Sequence, residues 1–163
     1  MVAFSQFQSE APHIAEIFVR RHAATNNLCL LGTLRSDGYP RISPLEPRIV
    51  AGRLVLVGMP GTMKFRDLGR DPRFTLHTAT VDTQVSEGDA KLWGKAVNVQ
   101  EPELHERFAT ELFEESGFDV RGEHFDPFYV ADLTGASSLE VADNQLRITI
   151  WKPGEGEREV RKS

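Results

Sequence analysis

The chain is short of several residue types, and each shortage removes a class of explanation. It has one cysteine, Cys29, among 163 residues, so no internal disulfide can form and a reducing, cytoplasmic setting is expected. Cys29 stands between Leu28 and Leu30, where a thiol acts as a small core residue rather than a nucleophile. No apolar run approaches the ~20 residues of a membrane span, so no membrane partner is expected. The start, Met1-Val-Ala-Phe-Ser-Gln6, lacks the basic and apolar stretches of a secretory leader. Positive charge is in the minority: 19 Lys and Arg against 24 Asp and Glu leave a net charge of −5. Without a basic stripe no nucleic-acid partner is expected, because such binding rests on phosphate neutralisation. One small, locally basic pocket for a phosphorylated ligand remains compatible with that balance.

Other absences concern chemistry. The five histidines, His13, His22, His77, His105 and His124, are scattered without metal-ligand spacing, and no catalytic triad is discernible. His105 and His124 fall on an acidic helix and a loop and are expected to face solvent. His77, among threonines on a strand, reads as a structural hydrogen-bonder or a pocket residue. The glycine-rich strand-to-helix fingerprints of dinucleotide folds and P-loops are missing, so a nucleotide-like cofactor would have to be held by other means.

What is present is a succession of short strands. Ser9 to Arg21 carries Ile14, Ile17 and Phe18 at helical spacing and predicts an amphipathic N-terminal helix. Leu28 to Arg35 reads as a strand, Ser36-Asp-Gly38 as a turn, and Arg41 to Val50 as a second strand. Pro44 and Pro47 make that second strand an edge or a bulged one. Arg53 to Val57, Arg73 to Thr80 and Ala90 to Val99 predict further strands, with Val81 to Asp89 as a polar loop. Pro102 opens a helix whose apolar stripe is Leu104, Phe108, Leu112 and Phe113, with five glutamates between Glu103 and Glu115. After a loop from Gly117 to Asp126, Phe128 to Thr134, Leu139 to Val141 and Leu146 to Trp151 look extended. The tail from Lys152 is rich in Gly and charge and is expected to fray. This pattern predicts one domain over residues 1–163, mainly β with peripheral α, its sheet antiparallel and closed.

The most informative stretch runs from Gly58 to Arg73. A strand ends in the turn Gly58-Met-Pro-Gly-Thr-Met-Lys64, and a short helix from about Met63 to Arg70 stops before Asp71-Pro72. A helix start offers unpaired N–H groups, and Thr62 and Lys64 add a hydroxyl and an ammonium, a combination suited to an anion. An ordinary connection in which Thr62 caps the helix is the alternative.

The hairpin Thr33-Leu-Arg-Ser-Asp-Gly-Tyr-Pro-Arg41, the Gly61-Thr-x-Lys64 turn with Leu68 and Arg70-Asp-Pro72, and Trp93-Gly-Lys-Ala96 occur in an order that resembles the pyridoxamine 5′-phosphate oxidase-like, FMN-binding split-barrel family. The resemblance covers Asn27 to Val99 well and the last strand more loosely. It implies a six-stranded antiparallel split β-barrel with flanking helices, a homodimer with FMN at the subunit interface, and a flavin-dependent oxidoreductase acting on a small molecule. It also implies cofactor-binding roles. Arg41 would begin the cofactor-facing strand, Ser43, Pro44 and Leu45 would lie beside the ring, and Val57 and Gly58 would pass the flavin. Thr62 and Lys64 would clamp the phosphate, with Met63 standing where the family's oxidase often has a basic residue. Trp93 would approach the partner's site or seal the interface. Catalytic residues are not assigned. The oxidase's C-terminal Arg-x-His motif is replaced by Ser137-Ser-Leu-Glu-Val-Ala-Asp-Asn-Gln145, so pyridoxamine-phosphate oxidation itself is not expected. Related split barrels use F420, which keeps an F420-dependent reductase as an alternative. A non-enzymatic flavin or haem protein, the latter ligated by His77, is another, and a cofactor-free relative a third.

Overall fold

The apolar spacing of the first residues builds two helices, not one. In the computed structural model, which describes Met1 to Ser163, α1 spans Phe4–Glu10 and α2 spans Pro12–Ala24. The expected single helix from Ser9 is interrupted at Ala11, whose φ of −130° is non-helical; Pro12 lacks the N–H that would continue α1 but suits a helix start. Phe4 and Phe7 turn inward with ring centroids 5.3 Å apart, and Phe7 lies 5.1 Å from the buried Trp151.

The strands are β1 (Cys29–Leu34), β2 (Pro40–Leu45), β3 (Arg48–Val50), β4 (Arg53–Val55), β5 (Arg73–Thr78), β6 (Asp89–Asn98), β7 (Tyr129–Ala142), β8 (Gln145–Lys152) and β9 (Gly156–Lys162). Helix α3 spans Met63–Arg70 and α4 spans Pro102–Ser116. All pairings are antiparallel, in the order β2-β1-β5-β6-β7-β4-β3, with β8 added beside β7 and β9 beside β8. The mainly antiparallel architecture agrees with the sequence, but there are nine strands rather than six. The expected second strand breaks after Leu45, where Glu46 and Pro47 separate two edge strands. The tail does not fray: Gly156 to Lys162 pairs with β8 along its length, and Arg147 bonds Glu159 across the two strands at 2.8 Å.

β7 gives the sheet its split. One edge pairs with β6 from Tyr129 to Leu139, while the other meets β4 at Val130 and then β8 from Ala136 to Ala142. A bulge makes the change possible, because Trp93 pairs with Gly135 and Gly94 with Leu133, leaving Thr134 as the extra residue. Gly94 is obligatory there, since a Cβ would lie 1.9 Å from the Asp132 carbonyl oxygen.

Helices α1, α2 and α3 cover one face of this sheet over a core that includes Phe18, Leu31, Leu54, Phe65, Leu76 and Leu92. Cys29 belongs to it, and burial pushes its thiol pKa up to about 12. A second cluster of Val50, Val55, Phe108, Phe128 and Val130 lies beneath α4. His105 is buried in it, against the expectation of a solvent-facing histidine. It donates from Nε2 to the Val99 carbonyl at 2.8 Å and stacks on Phe128 with centroids 4.2 Å apart, while His124 is exposed. No helix is long and apolar enough to cross a membrane.

Candidate functional site

After β4 the chain runs through Leu56 and Val57 and turns at Gly58, hard against α3. A Cβ on Gly58 would lie 3.2 Å from the Phe65 ring and 3.6 Å from Leu45 Cδ1, so the close approach depends on glycine. Gly61, at a φ of +77°, completes the turn into Thr62. Thr62 occupies the cap position of α3, yet its side chain caps nothing. Its carbonyl accepts the Phe65 and Arg66 amides at 3.1 Å each, which leaves the Met63 and Lys64 amides without backbone partners. The Thr62 hydroxyl is buried and also unpartnered. Lys64 is half-buried, with Nζ 5.5 Å from the centre of the Phe65 ring, and forms no ion pair. A buried hydroxyl without a partner costs on the order of 1–3 kcal/mol, and with two open amides and the Lys64 ammonium on the same turn it makes a donor set suited to an anion. The residues present therefore fit a phosphate.

Arg41 is tied to the helix that carries Thr62 and Lys64 through a residue that sequence reading passed over. On β2, Arg41, Ser43 and Leu45 share the helix-covered face, and the Arg41 Nε donates to Asp67 Oδ2 at 2.7 Å. Asp67, on α3, is 1% exposed and also accepts Thr33 Oγ1 at 2.8 Å and Arg70 at 3.3 Å. Burial pushes the Asp67 carboxyl up, but the bonds from Arg41, Thr33 and Arg70 outweigh that and hold it below the ordinary carboxylate value. Arg41 is thus held against α3 as half of an ion pair, while its terminal nitrogens bond nothing in the chain. Asp67 shares the buried side of α3 with Phe65 and Leu68, but its partners Thr33 and Arg41 are remote in sequence, so no local pattern marks it.

The remaining expected site residues lie elsewhere. Pro44 is exposed on the opposite face of β2 from Ser43 and Leu45. His77 and Trp93 also occupy this outer face, away from α1, α2 and α3. There the register sets Pro44 beside Leu30, Leu30 beside His77, and His77 beside Lys91. Ile42 and Leu30 are 74% and 40% exposed on it, an uncovered apolar surface. A single copy therefore cannot bring His77 and Trp93 to the Thr62–Lys64 turn.

The outer face has its own cavity of about 230 Å³, lined by His77, Asp89, Lys91, Ser137, Leu139 and Ile148 among others. The His77 Nδ1 lies 2.5 Å from the Thr78 carbonyl, which can only accept, so Nε2 is left as an acceptor. Asp89 is 7% exposed; one carboxylate oxygen accepts Thr80 at 2.9 Å and the other has no partner. Asp89 and Lys91 were not singled out from the sequence, because only the register between β5, β6 and β7 brings them to His77.

A family model described as pyridoxamine 5′-phosphate oxidase matches residues 18–136. Among solved structures, PhzG from Burkholderia lata 383, in complex with tetrahydrophenazine-1-carboxylic acid, superposes with a TM-score of 0.64 at 11% identity, over 98% of this chain and 96% of that one. A pyridoxamine 5′-phosphate oxidase-related, FMN-binding protein from Nostoc punctiforme gives 0.59 at 11% identity, over 93% and 95% of the two chains. A haem-binding protein from Mycobacterium smegmatis gives 0.59 at 16% identity, over 93% and 88%. At such identities the likeness concerns the fold. No curated protein matches the chain. The match over residues 18–136, with the split antiparallel sheet that carries it, makes this chain a member of the pyridoxamine 5′-phosphate oxidase family.

Proposed function

We propose that the protein is an FMN-dependent oxidoreductase that works as a homodimer in the cytoplasm, on a small-molecule substrate. The observation that carries this reading is the buried, unpartnered Thr62 hydroxyl at the open N-terminus of α3, beside the free ammonium of Lys64. Thr62, Lys64 and the Met63 and Lys64 amides would hold the FMN phosphate, with the terminal nitrogens of Arg41 approaching it. Gly58 and Leu45 would border the flavin, with Ser43 on the same face and Val57 at the strand end. The uncovered apolar face bearing Ile42, Pro44, Leu30 and Trp93 supports association with a second copy. In such a dimer one copy's Thr62–Lys64 turn and the other copy's His77–Trp93 face would form the two walls of a shared site. Bound FMN supplies the hydride chemistry itself, so the chain's task is to bind, orient and exclude water. That division of labour agrees with the lack of an acid–base constellation in the sequence.

A haem reading has one observation in its favour: the His77 Nε2 has no partner and borders a cavity. The visible spectrum of the purified protein separates the readings. Flavin bands, or saturable FMN binding by colourless protein, support the proposal; a Soret band lost on His77→Ala supports haem; selective binding of F420 would move the assignment to a deazaflavin reductase. Lys64→Ala is expected to weaken FMN binding by roughly tenfold or more, as for loss of a charge-assisted bond. Unchanged FMN affinity in both Lys64→Ala and Arg41→Ala would refute the phosphate assignment.

A further inference from the structure

We propose that Asp67 is a positioning residue for the ligand phosphate: it holds Arg41 by Nε so that the terminal guanidinium nitrogens stay free for the ligand, and ties the helix bearing Thr62 and Lys64 to the strand bearing Arg41. The inference rests on the flavin reading above and extends it to a residue one turn beyond the anion site. Arg41 has five N–H donors in a rigid fork. One, on Nε, is taken by Asp67 Oδ2 at 2.7 Å, and the other four have no partner in the chain although the side chain is only 27% exposed. An arginine whose inner edge is pinned and whose outer end is open is preorganised for bidentate recognition of an oxyanion.

The carboxylate is itself pinned. Thr33 on β1 donates to the same oxygen as Arg41, and Arg70 donates both to Asp67 Oδ1 at 3.3 Å and to the Leu34 carbonyl at 2.5 Å. Asp67 therefore joins β1, β2 and α3 at a single buried point, five residues after Thr62 in the same helix. Two effects of its charge compete. The negative charge offsets part of the field that Arg41 presents to a phosphate, while the bond fixes where that field points. In a partly buried site geometry decides, because a displaced guanidinium forfeits both of its outward bonds at once.

Riboflavin supplies the control, since it lacks the phosphate and shares the ring. Apoprotein is titrated with FMN and with riboflavin, following flavin fluorescence, for wild type, Asp67→Asn, Asp67→Glu, Arg41→Ala and the double variant Asp67→Asn/Arg41→Ala. Melting temperatures of the apo forms show which variants fold. Asp67→Asn keeps an acceptor without charge, and Asp67→Glu keeps the charge on a longer stem, so one variant remains readable if the other unfolds. The expected result is a loss of FMN-over-riboflavin preference of roughly tenfold in each, the size of a lost charge-assisted bond, with riboflavin affinity within about twofold of wild type. In the Arg41→Ala background Asp67→Asn is expected to change the preference no further. Equal losses for both flavins, an unchanged or increased preference, or an Asp67→Asn effect that persists without Arg41 would each overturn the positioning role while leaving the flavin reading standing. Wild-type protein that binds neither flavin would instead overturn the flavin reading, and this inference with it.

Discussion

The Trp93 indole occupies the space above Gly135 on the neighbouring strand: a Cβ on residue 135 would come within 2.5 Å of its Nε1, Cε2 and Cζ2 atoms. The two residues face each other at the bulge that lets β7 exchange β4 for β8. Gly94, adjacent in sequence, is constrained by backbone instead, with the Asp132 carbonyl 1.9 Å from where its Cβ would stand. The two glycines therefore predict different consequences. Gly94→Ala must displace a β-strand and is expected to cost about 3 kcal/mol or more in denaturant unfolding, or to abolish folding. Gly135→Ala can be accommodated by swinging the half-buried indole outward, at about 1–3 kcal/mol. Its signature is a shift in tryptophan emission that disappears in a Trp93→Phe background. Equal stability losses for the two variants would show that the carbonyl contact at Gly94 is relieved more easily than the geometry implies.

His22 sets a pH dependence of stability. It lies buried on α2, stacks on Phe18 with centroids 5.6 Å apart, and donates from Nε2 to the Pro47 carbonyl at 2.6 Å. Burial lowers its pKa, and Arg48 adds to that effect, against opposing contributions from the Pro47 bond and Glu115. A histidine whose folded-state pKa is depressed binds its proton more readily when unfolded, so its contribution is complete above the unfolded value near 6.5. The contribution falls away as pH drops below that value toward the folded pKa. Melting temperature is therefore expected to decline between pH 7 and pH 5 more steeply in wild type than in His22→Gln, which can still donate to Pro47. Parallel slopes would remove His22 as the cause.

Much of the fold was legible because its signals were apolar and periodic. Leu31, Leu76 and Leu92 alternate with exposed or half-buried neighbours, and Pro72 marks the end of α3 with its Asp71 cap. The C-terminal strand was not legible, because β9 has charged or half-exposed side chains on both faces and is held by ladder bonds and Arg147–Glu159; an edge strand of this kind carries little hydrophobic signal. His105 was misplaced for a related reason. Its surroundings of Glu103, Glu106 and Arg107 look solvated, but its helical phase is that of Leu104 and Phe108. At the site, Thr62 and Lys64 could be found from local order alone. Asp67 could not, because its partners Thr33 and Arg41 are distant in sequence and meet it only when β1 and β2 pack on α3.

Met63 offers the most direct test of what the turn recognises. It stands at the first position of α3, between Thr62 and Lys64, and is 50% exposed. Its amide belongs to the open helix start, but its side chain brings no charge to the anion site. Met63→Arg places a guanidinium there without disturbing the core, since half of the methionine already lies in water. One added charge near a partly screened phosphate is worth about 0.5–1 kcal/mol, so FMN should bind a few-fold tighter. The gain should shrink as salt is raised from about 50 to 500 mM, because the Debye length shortens over that range. Riboflavin affinity should not change. The paired titration with the two flavins at two salt concentrations measures all three expectations. A gain shared equally by riboflavin would show that residue 63 meets the ring rather than the phosphate, and no gain for FMN at low salt would place the phosphate away from the α3 N-terminus.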